Sequence, residues 1–136
     1  MTPLVCFAIA VLVATAAELL TSYLMEVAIG ECLEKYPQEI VLLFLKIREV
    51  VFSIEENSIE EKMWAKLPSY YCGEKFVRII PFKDHINIEA EGLSRHACEF
   101  EGCKYTTKGM LQIQVNQIIN FDVLKTAFTD TYMKLN

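Results

Sequence analysis

The seven residues His85–Glu91 read HINIEAE and decide the fold class. Apolar and polar residues alternate along them, so Ile86, Ile88 and Ala90 fall on one face of a β-strand. A strand with one apolar and one polar face is typical of an antiparallel sheet that packs on a core and faces water on its other side. A strand over 110–115, MLQIQV, repeats the pattern and turns three residues inward: Leu111, Ile113 and Val115.

Upstream of the HINIEAE strand, short apolar segments alternate with turn residues. We expect strands over 63–67, 69–72 and 76–82, because these segments are punctuated by Pro68, Gly73, Pro81 and the turn pair Lys83 and Asp84. Between the HINIEAE strand and the strand over 110–115, the stretch GLSRHACEFEG at 92–102 predicts a short helix that ends at Gly102.

Helices are predicted on both sides of these strands. The stretch 37–54, PQEIVLLFLKIREVVFSI, has an apolar stripe at helical spacing, formed by Ile40, Leu43, Phe44, Ile47, Val51 and Ile54. A shorter helix over 26–35 precedes it. The C-terminal helix follows Asn120 as its N-cap, and its stripe comprises Phe121, Leu124, Phe128 and Leu135. The expected fold is therefore an α+β two-layer sandwich, an antiparallel sheet with the N- and C-terminal helices on one face.

The first 25 residues are apolar and are predicted to form an extra helix outside the domain, which we place at 26–136. Only Thr15 is polar between Leu4 and Ala17. Three interpretations stay open: a signal peptide using residues 4–16, a membrane anchor, or an extension upstream of a start at Met25. Lys and Arg are absent before the run, which weakens the first two.

The charge and the cysteine content of the sequence limit the expected binding partners and cellular location. The net charge is −5, and the basic residues are dispersed, so nucleic acid is not an expected partner. The five cysteines include no CxxC pair and no secreted disulfide framework. Reduced thiols and a cytoplasmic location are therefore expected, unless residues 4–16 export or anchor the chain.

Several motifs together resemble the bacterial YdhG-like domain family. They are Pro68 with Tyr70 and Tyr71, then Phe82, Lys83, His85 and Ile86, then Lys104, Tyr105, Lys108, Gly109 and Gln112. The resemblance covers about residues 26–135. It implies a helix, sheet, helix sandwich similar to that of frataxin. It also implies an intracellular iron chaperone that delivers iron to iron–sulfur or haem assembly proteins.

Two clusters have the hard oxygen ligands that iron in a delivery role would use. The first is acidic and follows the helix over 37–54: Glu55, Glu56, Glu60 and Glu61. The second lies on the water-facing side of the HINIEAE strand, where His85 and Glu89 are the candidate ligands beside Asn87 and Glu91. Residues two apart on a strand are separated by roughly 7 Å, so only neighbouring pairs could share one ion. Solvated loop and strand positions are the alternative in both cases.

The main alternative to iron delivery is a non-enzymatic module that binds a protein or a small anionic ligand on the exposed sheet face. A basic and aromatic groove would serve it, lined by Trp64, Lys66, Tyr70, Lys83, His85, Lys104, Lys108 and Gln112. Catalysis has little support, because the sequence contains no nucleophile elbow, HExxH motif or phosphate-binding glycine loop. We predict that the protein is not an enzyme.

Overall fold

The structure, a computed structural model, describes residues 3–54 and 58–133, with side chains from residue 16 onward. The chain divides into two compact units, residues 1–34 and residues 35–136. The first contains one helix, α1 (Pro3–Leu33). This helix is continuous through residue 25, so the helix predicted over 26–35 is the end of a longer one. The domain boundary predicted after residue 25 stays a prediction.

Membrane association was one interpretation of the apolar N-terminal run. Within residues 16–54 and 58–133, where side chains are described, no helix is long and apolar enough to cross a lipid bilayer. The signal or anchor predicted over residues 4–16 lies almost entirely outside those residues and stays a prediction.

The second unit is built on one antiparallel sheet in the order β1-β2-β3-β4-β6-β5. Its strands are β1 (Glu60–Trp64), β2 (Leu67–Cys72), β3 (Lys75–Pro81), β4 (His85–Ala90), β5 (Lys104–Tyr105) and β6 (Leu111–Gln114). A 3-10 segment (Glu91–Glu99) connects β4 to β5. Two helices complete the unit, α2 (Gln38–Phe52) and α3 (Phe121–Tyr132).

The two faces of the sheet differ as the HINIEAE pattern predicts. Ile86 and Ile88 pair with Ile113 and Leu111 across β4 and β6, and all four are fully buried. The helices α2 and α3 cover this face with their own apolar stripes, including the buried Ile40, Phe44, Ile47, Val51, Leu124 and Phe128. The predicted α+β sandwich with both helices on one face is confirmed. Leu135 lies outside the described residues.

The start of α3 follows the predicted cap. The Asn120 side chain accepts hydrogen bonds from the backbone N–H groups of Asp122 and Val123, at 3.0 Å and 3.3 Å. These two donors have no partner within the helix, so the cap stabilises its first turn.

Two local predictions were wrong. The strand predicted over 63–67 is interrupted, because Ala65 and Lys66 have φ values of 50° and 66° and form a two-residue turn that pairs Trp64 with Leu67. The helix predicted over 92–102 is a 3-10 segment that ends at Glu99 and is broken at His96, whose φ and ψ are −117° and 17°. Gly102 lies beyond it in a turn, with a φ of 77°.

Candidate functional site

The sheet face away from α2 and α3, here called the open face, has a buried arginine at its centre. The register aligns Lys62, Ser69, Arg78 and Glu89 across β1 to β4, on the side opposite Tyr70 and Val77. Arg78 is only 6% exposed, although α2 and α3 pack on the other side of the sheet. Other side chains on the open face must therefore cover it.

Aromatic rings provide that cover. The Arg78 guanidinium carbon lies 4.2 Å from the centre of the Trp64 ring and 4.3 Å from the centre of the Phe76 ring. The strand register places Trp64 and Phe76 in the rows on either side of the Arg78 row. Contacts at this distance between a cation and a ring face are attractive. We call these three residues the Arg78 stack.

Hydrogen bonds fix the guanidinium between the rings. Its Nε donates to Ser69 Oγ at 2.8 Å, Nη1 donates to Glu89 Oε1 at 2.7 Å, and Nη2 donates to the Tyr71 hydroxyl at 3.0 Å. A guanidinium has five N–H donors, so these bonds use three of them. The Glu89 carboxylate also balances the charge of Arg78, which allows burial at tolerable cost.

A pocket adjoins the stack at the end of the sheet where β4 enters the 3-10 segment. Its volume is about 430 Å³, within the range of small-molecule sites. We call it the Glu89 pocket. Its lining comprises Glu74, Lys75, Phe76, Glu89, Ala90, Glu91, Ser94, Lys108, Gly109 and Thr131. Phe76 and Glu89 belong to the pocket lining and also contact Arg78, so the pocket and the stack share side chains.

Charges of both signs line the Glu89 pocket. Lys75 Nζ lies 3.2 Å from Glu91 Oε2, and both side chains remain about half exposed. Lys108 and Gly109 belong to the loop between β5 and β6, where Gly109 has a φ of 84° that suits glycine. The pocket lining therefore combines cationic and anionic groups with the apolar residues Phe76 and Ala90.

The groove residues predicted from the sequence do not all share one face. Trp64, His85, Lys104 and Gln112 lie on the open face, where Gln112 donates to Asn87 Oδ1 at 3.4 Å. Tyr70 lies on the opposite face and is fully buried beneath the helices. Lys66, Lys83 and Lys108 lie in the turns at the ends of strands, and of these only Lys108 lines the Glu89 pocket.

The predicted metal ligands that the structure describes are also separated. Glu55 and Glu56 lie outside the described residues. Glu60 and Glu61 alternate to opposite faces of β1, and Glu60 pairs with Lys62 at 3.4 Å. Glu89 forms an ion pair with Arg78. In the described part of the chain, no group of three or more His, Cys, Asp and Glu side chains is placed to hold one metal ion. The iron sites remain predictions.

Glu61 forms an ion pair with Arg48 of α2. Both of its oxygens accept from Arg48, at 2.6 Å and 2.8 Å, and its side chain is 8% exposed. This bidentate hydrogen bonding raises the pKa of Arg48. Burial raises the pKa of Tyr70, and the negative charge of Glu61 adds to that effect. Glu61 therefore has a structural role between the helix and the sheet.

His85 has a local partner at the other end of β4. Its ring stacks on Phe82 with centroids 4.4 Å apart, and its Nδ1 lies 2.6 Å from Asp84 Oδ1. This hydrogen bond lowers the pKa of Asp84. The Phe82 N–H donates to His85 O at 2.9 Å across the turn between β3 and β4. The Asp84–His85 contact lies in this turn and stands apart from the Glu89 pocket lining.

Sequence reasoning missed the centre of the site. Arg78 lies inside the apolar run FVRIIP, where a charged residue signals either an exposed position or a buried pair. Its partners come from β1, β2 and β4, and only the register brings them together. Comparisons with protein-family models, curated proteins and solved structures found no match to this chain. The resemblance to the YdhG-like family therefore rests on the quoted motifs and stays a prediction.

Proposed function

We propose that residues 35–133 form a non-catalytic binding module for a small ligand, with the Glu89 pocket as its site. The observation that carries the proposal is a pocket of about 430 Å³ built against the Arg78 stack. Small-molecule sites combine an apolar wall with a few polar groups that orient the ligand. Phe76 and Ala90 supply apolar surface, and the lysines and glutamates supply the polar groups.

The mixed charge of the lining favours a ligand that carries both signs. Lys75 and Lys108 attract a carboxylate or phosphate, whereas Glu74 and Glu89 attract an ammonium group. A purely anionic ligand would meet the glutamates, and a purely cationic one would meet the lysines. Zwitterions of the size of amino acids and dipeptides are therefore the proposed class.

The test is a panel of free amino acids and dipeptides added to the full chain, followed by NMR of the backbone amides. Binding should shift the amides of Lys75, Ser94 and Gly109 first. The variant Lys108→Gln should weaken binding, whereas Lys125→Gln, an exposed lysine on α3 outside the pocket, should not. Shifts centred elsewhere, or equal losses in both variants, would refute the site.

Iron delivery remains the hypothesis that the family resemblance implies, with Glu55, Glu56, Glu60 and Glu61 as the acidic cluster. The surface position and solvent exposure of Glu60 are compatible with a labile cation site. Glu61 is occupied by Arg48, so an ion at this cluster would rely on the remaining three glutamates.

A further inference from the structure

The imidazole of His96 is held between two carboxylates from different elements. Its Nδ1 lies 2.5 Å from Glu99 Oε2 within the 3-10 segment, and its Nε2 lies 2.7 Å from Asp130 Oδ2 on α3. The His96 side chain is 14% exposed. Glu99 and Asp130 are the charged groups that face this ring from the two elements packed on it, in the part of the chain that the structure describes. His96 thus joins the 3-10 segment to α3.

Only the protonated ring satisfies both contacts. A neutral imidazole has one N–H donor and one lone pair, whereas an imidazolium has two donors. Loss of the proton would leave one ring lone pair directed at a carboxylate oxygen. The hydrogen bond to Asp130, followed by that to Glu99, raises the pKa of His96 above its ordinary value. The charged ring therefore persists at a pH where an isolated histidine is neutral.

The same two elements form a wall of the Glu89 pocket. Glu91 and Ser94 of the 3-10 segment and Thr131 of α3 are in its lining. They are joined a second time where the Gly92 N–H donates to Thr131 Oγ1 at 2.8 Å. Asp130 is the neighbour of Thr131, so the His96 contact anchors the segment beside this wall.

We propose that His96 is a proton-dependent clamp: the imidazolium holds the 3-10 segment against α3, and deprotonation releases the segment and loosens the pocket wall. The stabilisation is fully present below the pKa of histidine in the unfolded chain and is lost as the pH rises through the higher folded-state value. The clamp itself rests on side-chain geometry. Its effect on ligand binding rests on the proposed function.

The experiment follows both histidine rings of the full chain by NMR from pH 5 to pH 9 and measures amide exchange protection in residues 92–99, corrected for intrinsic exchange. His96 should titrate above the ordinary value of about 6.5. Protection should fall with rising pH, by about tenfold for each unit by which the pKa of His96 in the closed segment exceeds that in the open one.

Two variants make the test specific. His96→Gln should abolish the pH dependence of protection, and Asp130→Asn should lower the pKa of His96, whereas His85→Gln should leave both unchanged. The clamp is overturned if His96 titrates at or below the ordinary value, or if His96→Gln retains the pH dependence. These measurements need no ligand, so they fail or succeed independently of the amino acid and dipeptide panel.

Discussion

Replacement of Gly92 by alanine should destabilise the second unit more than any other change at a glycine. An added Cβ would lie 2.2 Å from Ala127 O and 2.8 Å from Thr131 N, both backbone atoms of α3. Because backbone atoms of a packed helix cannot move aside separately, the 3-10 segment itself must shift. The Gly92 N–H would then lose its buried bond to Thr131 Oγ1.

The magnitude combines two effects. Overpacking costs about 1–3 kcal/mol, and a lost intramolecular hydrogen bond costs about 1 kcal/mol. The free energy of unfolding should fall by about 2–4 kcal/mol, which corresponds to a Tm lower by roughly 10–20 °C for a unit of this size. Urea unfolding followed by circular dichroism, with thermal melting in parallel, measures both quantities.

Two matched variants separate the causes. Gly30→Ala lies in α1, where an added Cβ meets nothing within 4 Å, and it should leave the unfolding of the second unit unchanged. Thr131→Val keeps the shape of the side chain but removes the hydroxyl and leaves the Gly92 N–H without its acceptor, so it should cost about 1–3 kcal/mol. If Gly92→Ala unfolds within about 0.5 kcal/mol of the original chain, the reasoning about this close approach is wrong.

Three further changes test other parts of the molecule. Arg78→Met removes the cation between the rings and leaves Glu89 without its partner, so urea unfolding should show a loss of about 2–3 kcal/mol, and an unchanged midpoint would contradict the buried ion pair. Asn120→Ala should cost about 1 kcal/mol in the same assay, whereas Asn120→Ser, which keeps a capping oxygen, should not. The iron hypothesis predicts saturable binding of ferrous iron under anaerobic conditions, lost in the triple variant E55Q/E56Q/E60Q. Calorimetry that detects no binding to the unmodified chain would exclude it.

The sequence predicts those parts of the fold that depend on local periodicity. β4 and β6 alternate strictly, and α2 and α3 each have a stripe of apolar residues at helical spacing. Each pattern identifies both the type of element and the face that becomes buried. The Asn120 cap is local as well, because its two partners lie within the next three residues.

Features that depend on register or on distant contacts escape such reasoning. The turn at Ala65 and Lys66 has neither the asparagine nor the glycine that usually marks two residues of positive φ. The strand pairing on both sides imposes it. His96 and Asp130 are separated by 34 residues, and only the packing of α3 on the 3-10 segment brings them together. The candidate site is assembled from contacts between residues that are distant in the sequence.

Arg78 connects the stability of the open face to its proposed role in binding. Well-packed apolar residues at both positions can replace a buried ion pair without loss of stability, so stability alone does not require the Arg78–Glu89 pair. Glu89 gives one oxygen to Arg78 and also lines the pocket. A ligand ammonium that attracts Glu89 would therefore weaken its bond to Arg78 and alter the contact between Arg78 and Trp64. Because Trp64 is the single tryptophan of the chain and is 54% exposed, its fluorescence would register occupancy of the pocket.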